Sequence, residues 1–101
     1  MKRTTVQVGW ANGLHLRPAA RLMRIAQQFR ATMWLRCGSR RADLRSILSI
    51  ISLCAMVGTT LEVEAAGDDE DNAVQAVERF FQSGADDGTT DGPDAVVDRD
   101  R

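Results

Sequence analysis

The sequence predicts an α+β fold, a four-stranded and mainly antiparallel sheet with three helices on one face, in the order βαββαβα. Three observations carry that expectation. Residues 4–8, 31–37 and 60–65 alternate apolar with polar side chains, the period-two pattern of half-buried strands. Residues 16–29 and 69–83 repeat their apolar side chains with a helical period instead. A length of 101 residues suits one core rather than two.

The elements follow in order. Val6 and Val8 share one face of a short first strand, and Asn12-Gly13 then breaks the pattern with a turn signal. Over 16–29, the residues Ala19, Leu22, Met23, Ala26 and Phe29 form one buried stripe, and Pro18 suits the first helical turn. Met33, Leu35 and Cys37 alternate in a second strand, which Gly38-Ser39 turns back into a third over 40–45. Ser46 can cap a short helix running to Leu53, with Ile50 and Leu53 packed inward. Gly58 punctuates, and Leu61, Val63 and Ala65 form the inner face of the last strand. The final helix turns Ala73, Val74, Val77, Phe80 and Phe81 inward, and starts with Asp68, Asp69, Glu70 and Asp71, where the helix dipole favours negative charge. From Gly84 onward there is no aromatic residue and much acid, the composition of a disordered tail. The folded domain is therefore expected over 1–83 and an acidic tail over 84–101.

The net charge of −1 conceals an asymmetry. Residues 1–45 hold ten basic side chains against Asp43, a net of +9. Residues 46–83 hold Arg79 against seven acids, a net of −6, and residues 84–101 hold two arginines against six aspartates, a net of −4. A basic first half fits an anionic ligand or an acidic partner, because concentrated charge steers encounters; the plainer reading is a solvated arginine-rich face. Nucleic acid is not expected as a partner, since a chain without Tyr and with few aromatics offers no base-stacking platform. Trp10, Trp34 and the phenylalanines read as core or surface filler, Met23 and Met33 as core, Met56 as exposed. No apolar run reaches the ~18 residues of a membrane span, and the N-terminal residues 1–5 lack the apolar core of a signal peptide, so a cytoplasmic protein without membrane insertion is expected. Cys37 and Cys54 have no close Cys or His partners, give no zinc pattern and read as reduced thiols, and no metal or other cofactor is implied.

The chemistry concentrates in residues 12–20. His15, the single histidine, stands immediately before a helix, whose first N–H groups have no internal partners and carry the positive end of the dipole. An anion placed there is held by those donors, and Arg17 is close enough to fork two hydrogen bonds to a phosphate. A neutral imidazole is a nucleophile near pH 7, so the assembly can accept a phosphoryl group on the ring. A half-exposed histidine beside a structural arginine is the plainer alternative.

Gly13-Leu14-His15-Leu16-Arg17-Pro18-Ala19-Ala20 resembles the active-site signature of the HPr family, the histidine-containing phosphocarriers of the bacterial phosphotransferase system. Residues 44–53 resemble that family's regulatory-serine segment, and the stretches beginning at Gly58 and Gly67 resemble its last strand and last helix start. The likeness covers about residues 3–82 without a gap and implies the family's open-faced sandwich. It implies that His15 is phosphorylated on its pros nitrogen, Nδ1, by enzyme I using phosphoenolpyruvate, and hands the group to enzyme IIA domains. Arg17 would steady the phosphate, with the backbone of Leu16 and Arg17 cradling it. The chain would be a monomeric carrier, not an enzyme. Ser46 falls on the position modified by HPr kinase/phosphorylase. Two positions depart from the family pattern: Leu16 stands where a small residue is usual, and Cys54 where glycine is usual. A second functional reading is a related regulatory interaction protein in phosphorylation-dependent signalling, without dedicated sugar transport.

The short helix carries more aliphatic residues than one core can bury. Leu48 and Ile51, with Ile47, are expected beside His15 as an apolar docking patch, and Arg21, Arg24 and Arg45 as its basic rim.

Overall fold

Seven elements follow one another in the expected order: β1 (Lys2–Gln7), α1 (Leu16–Gln27), β2 (Thr32–Cys37), β3 (Arg40–Asp43), α2 (Ile47–Ser52), β4 (Thr60–Ala66) and α3 (Glu70–Gln82). They belong to a computed structural model that describes residues 1–83; the tail expected over 84–101 lies outside the described residues. The sheet order is β1-β4-β2-β3, and each neighbouring pair is antiparallel. The last strand is thus inserted between the first two, and α1 crosses over it on the way from β1 to β2. Gly38-Ser39 closes the β2–β3 hairpin, with Cys37 opposite Arg40.

One face of the sheet turns Val6, Met33, Leu35, Leu61, Val63 and Ala65 into the core, where Leu22, Ile50, Ala73 and Val77 of the helices meet them. Along α1 the buried stripe is Pro18, Ala19, Leu22 and Ala26. Met23, expected in the core, is only half-buried, while Ile25 packs against the core instead. The two flank opposite margins of the same stripe, and it is the Ile25 margin that packs against the core. Trp10 is 3% exposed, its ring 5.3 Å from that of Phe80 and 5.1 Å from that of Phe81, which ties the segment after β1 to the end of α3.

On the other face, Glu64 of β4 is 2% exposed between β1 and β2, with Arg3 Nε at 3.7 Å and Arg36 Nε at 3.4 Å. Trp34 lies beside it in register and carries the Arg41 guanidinium 4.8 Å above its ring. Among the described residues, no helix is long and apolar enough to cross a membrane. Both cysteines are free thiols, Cys37 half-buried and Cys54 exposed.

Asp69 precedes α3 without capping it. Its two carboxylate oxygens accept instead from the backbone N–H groups of Arg30 (2.9 Å) and Ala31 (2.8 Å), fastening the link between α1 and β2 to the start of the last helix. The Arg30 N–H above all holds the Asp69 carboxyl below the usual carboxylate range, against the opposing effect of burial, and the Ala31 N–H adds to the lowering. A depressed folded-state pKa contributes stability that is present above the unfolded value and lost as pH falls through the folded one. Asp69→Asn is expected to lower the melting temperature at pH 7 and to flatten the loss of stability below about pH 4; thermal melts across pH 2–7 check both.

Leu53 is the C-cap of α2, and Cys54 follows at φ +53°, a left-handed conformation that disfavours any side chain with a β-carbon. Cys54→Gly is expected to stabilise the fold by roughly 0.5–1 kcal/mol, the relieved strain exceeding the added chain entropy, as read by urea unfolding.

Candidate functional site

The chain reaches His15 through a tight turn. Gly13 N–H donates to Trp10 O (2.8 Å), Leu14 N–H to Ala55 O (2.9 Å) and His15 N–H to Gly13 O (3.0 Å). Gly13 has φ +73°, and a β-carbon there would stand 2.6 Å from Ala55 O and 3.1 Å from Met56 Cα. Conformation and space therefore both require glycine at this point. Leu14 is buried at 3% exposure and anchors the turn, leaving the His15 side chain half-buried at its rim.

His15 is the N-cap residue of α1, in extended backbone with φ −91° and ψ −165°, and its side chain makes no capping hydrogen bond. In the first helical turn, the Leu16 and Arg17 amides have no acceptor within the helix, Pro18 has no N–H, and Ala19 N–H already donates to His15 O (3.0 Å). Two backbone donors at the positive end of the helix dipole thus stand next to the imidazole.

A cleft of about 560 Å³ opens here, lined by Asn12, His15, Leu16 and, along one side of α1, Arg17, Arg21 and Arg24. The arginines succeed one another at spacings of four and three, which puts them on one helical face. Five residues singled out from the sequence (His15, Leu16, Arg17, Arg21 and Arg24) therefore meet in a single depression. Chemically, guanidinium donors beside a helix N-terminus and an imidazole are groups able to hold a phosphate-like anion. Among the described residues, no three His, Cys, Asp or Glu side chains cluster as metal ligands.

Ser46 is the N-cap of α2 as expected, its Oγ accepting from Ser49 N–H at 3.2 Å, and it is half-buried. Of the aliphatics expected at the surface, Leu48 is 80% exposed, whereas Ile47 and Ile51 are half-buried against the core. Arg45 departs from its expected place on the rim. Its guanidinium donates to Phe29 O (3.1 Å) and Ala31 O (3.5 Å), bracing the chain between α1 and β2. Val57, at 56% exposed, was not singled out from the sequence; with Leu16 and the expected Met56 it adds apolar surface around the turn at Gly13. Its one sequence signal is its place in the apolar pair just before Gly58.

The family model "PTS HPr component phosphorylation site" matches residues 2–83. The chain is 35% identical over 79 residues to the phosphocarrier protein HPr of Treponema pallidum, covering 78% of this chain and 90% of the relative. It is also 35% identical over 85 residues to the phosphocarrier protein NPr of Escherichia coli K12, covering 83% and 94%. Among solved structures, HPr of Thermoanaerobacter tengcongensis superposes with a TM-score of 0.79 at 32% identity, over 82% of this chain and 93% of that one. The sequence likeness, the shared fold and the histidine at the head of α1 agree, and the chain belongs to the HPr family, whose members are phosphocarrier proteins rather than enzymes.

Proposed function

We propose that the His15 ring accepts a phosphoryl group on Nδ1 from phosphorylated enzyme I and passes it to enzyme IIA domains, the chain acting as a monomer through the unit 1–83. The observation that carries this reading is the convergence of His15, two helix-start amides and Arg17 in one cleft. In the uptake step the N–P bond of the donor histidine breaks as the P–Nδ1 bond to His15 forms. The attacking nitrogen must hold its lone pair, so the ring proton sits on Nε2. No nucleotide or metal is called for, because such a transfer needs positioning and charge stabilisation more than covalent machinery. Leu16 N–H, Arg17 N–H and the Arg17 guanidinium would surround the phosphoryl oxygens. Charge-assisted hydrogen bonds of this kind are worth about 1.5–3 kcal/mol each, which steadies the phosphoryl group without removing its tendency to transfer.

Partners would dock on Leu48, with Ile47 and Ile51 at its edge, and on Met56 and Val57, while Arg21 and Arg24 meet acidic groups. Burying the side chain of Leu48, 80% exposed, is worth up to about 1.5–3 kcal/mol. Leu16 projects into the cleft from the first helical turn at 60% exposure, so it would shape partner fit while its amide remains aimed at the phosphate.

Incubation with enzyme I and labelled phosphoenolpyruvate is expected to place acid-labile label on the wild type and none on His15→Ala. Absence of label on the wild type, with enzyme I active on another carrier, would overturn the reading. Transfer of the label to added IIA domains then identifies the recipients.

Ser46 would be a regulatory phosphorylation site for an HPr kinase/phosphorylase. A phosphate there suits the start of α2 but sets about two negative charges before acidic partners. Ser46→Asp is expected to slow phosphoryl uptake at His15 several-fold with little change in melting temperature. Equal uptake rates for the two proteins would count against this regulation.

A further inference from the structure

We infer that the acidic segment 84–101 of this chain seats in the arginine-lined cleft beside His15 and competes there with the partners of phosphoryl transfer. The seating rests on charge, exit point and reach; the competition rests on the proposed function of the cleft. Arg17, Arg21 and Arg24 bring three guanidinium groups to one side of α1, and no carboxylate is among the described residues lining the cleft. A single phosphoryl group carries only about two negative charges, so the cleft offers more cationic donors than one phosphoryl group uses. The segment supplies the complementary charge. Asp86, Asp87, Asp91, Asp94, Asp98 and Asp100 stand against Arg99 and Arg101, a net of −4.

The chain also leaves the fold at a suitable place. Helix α3 ends at Gln82, just after Phe80 and Phe81, whose rings lie 5.3 and 5.1 Å from that of Trp10. The Trp10 carbonyl in turn holds Gly13 N–H at 2.8 Å, two residues before His15. Asp86 follows the described residues within three positions, and residues 84–98 span up to about 50 Å when extended, against a longest molecular dimension of 34 Å. Asp94 and Asp98 therefore have enough chain before them to reach the cleft, and the acids nearer Ser83 extend toward it. Exposed carboxylate–guanidinium pairs are individually weak, but tethering presents them at an effective concentration in roughly the millimolar range. A nearer groove of about 270 Å³, lined by Thr5, Val6, Gln7, Phe81 and Gln82, contains no cation and offers the aspartates nothing.

The test uses the full chain and a variant with all six aspartates neutralised: D86N, D87N, D91N, D94N, D98N and D100N. Amide resonances of residues 15–24 are expected to differ between the two proteins in ~20 mM salt and to converge in ~1 M salt, where the screening length falls to about 3 Å. Identical resonances in low salt would overturn the seating, and so would differences confined to Thr5, Val6 and Gln7. In the enzyme I assay at low salt, the neutralised variant is expected to take up label at least threefold faster than the wild type. Equal rates together with shifted resonances would overturn the competition. If neither protein takes up label, the resonances still decide the seating, and the failure belongs to the proposed function and to the competition built on it.

Discussion

Between Gly13 and Ala55 the backbone comes so close that a β-carbon on residue 13 would stand 2.6 Å from the Ala55 carbonyl oxygen, and the place of His15 follows from that approach. The contact is one rung of a longer attachment. Val8 N–H donates to Thr59 O (2.9 Å), Gly58 N–H to Val8 O (2.7 Å) and Leu14 N–H to Ala55 O (2.9 Å). The segment from β1 to α1 is thereby fastened to the segment from α2 to β4 at both of its ends. Trp10, buried on Phe80 and Phe81, fixes the middle. The entropy of positioning the backbone that carries His15 is thereby spent in folding rather than at the moment of any encounter.

The same attachment determines what is left outside. With their backbone turned toward residues 8–14, Met56 and Val57 have nowhere to put their side chains but solvent, and they are 70% and 56% exposed. Helix α2 is only six residues long and presents Ile50 to the core. Ile47 and Ile51, three positions before and one after it, reach the core's edge, whereas Leu48 points away. A short helix built of aliphatics therefore leaves exposed apolar area as a consequence of its length. Large exposed apolar patches are uncommon on soluble monomers unless something covers them. Leu16, itself 60% exposed, lines the arginine-bearing cleft, so exposed apolar and cationic side chains meet there.

Much of this was legible in the sequence, because the elements are short and their patterns clean. Alternation identified three of the strands and the Gly38-Ser39 turn the fourth, and Ser46 followed by an aliphatic run identified α2 and its cap. The histidine site was readable because its parts lie within a few residues of one another: a turn, a ring, an arginine and a helix start. What escaped depends on distant partners. Nothing local to Asp69 says that its carboxylate will bind amides of Arg30 and Ala31 rather than cap its own helix. Arg45 looked like a rim residue until α1 and β2 brought the carbonyls of Phe29 and Ala31 to it. Met23 and Ile25 flank the same stripe, and only the packing of distant elements against the helix decides between them.

The charge asymmetry shows most clearly how topology rewrites a sequence pattern. Read linearly, the first 45 residues are a block of net +9 and the rest of the described chain is acidic, which suggests two opposed surfaces. The strand order denies this arrangement. Because β4 inserts between β1 and β2, its acids Glu62 and Glu64 are interleaved with Arg3 and Arg36, and the open face of the sheet becomes a lattice of opposite charges. Glu64 is 2% exposed there, so removing either arginine would weaken the compensation of a buried carboxylate, a more costly loss than that of a surface ion pair. Arg45 is likewise consumed in bracing backbone carbonyls. The arginines of α1 are different, since they lie on a helix rather than beside the acidic strand. Of the positive charge that the sequence places in its first half, the portion gathered into a cleft is that of Arg17, Arg21 and Arg24, on the helix that begins at the histidine. The insertion of one acidic strand thus sorts the arginines into those that hold the sheet together and those gathered beside the histidine.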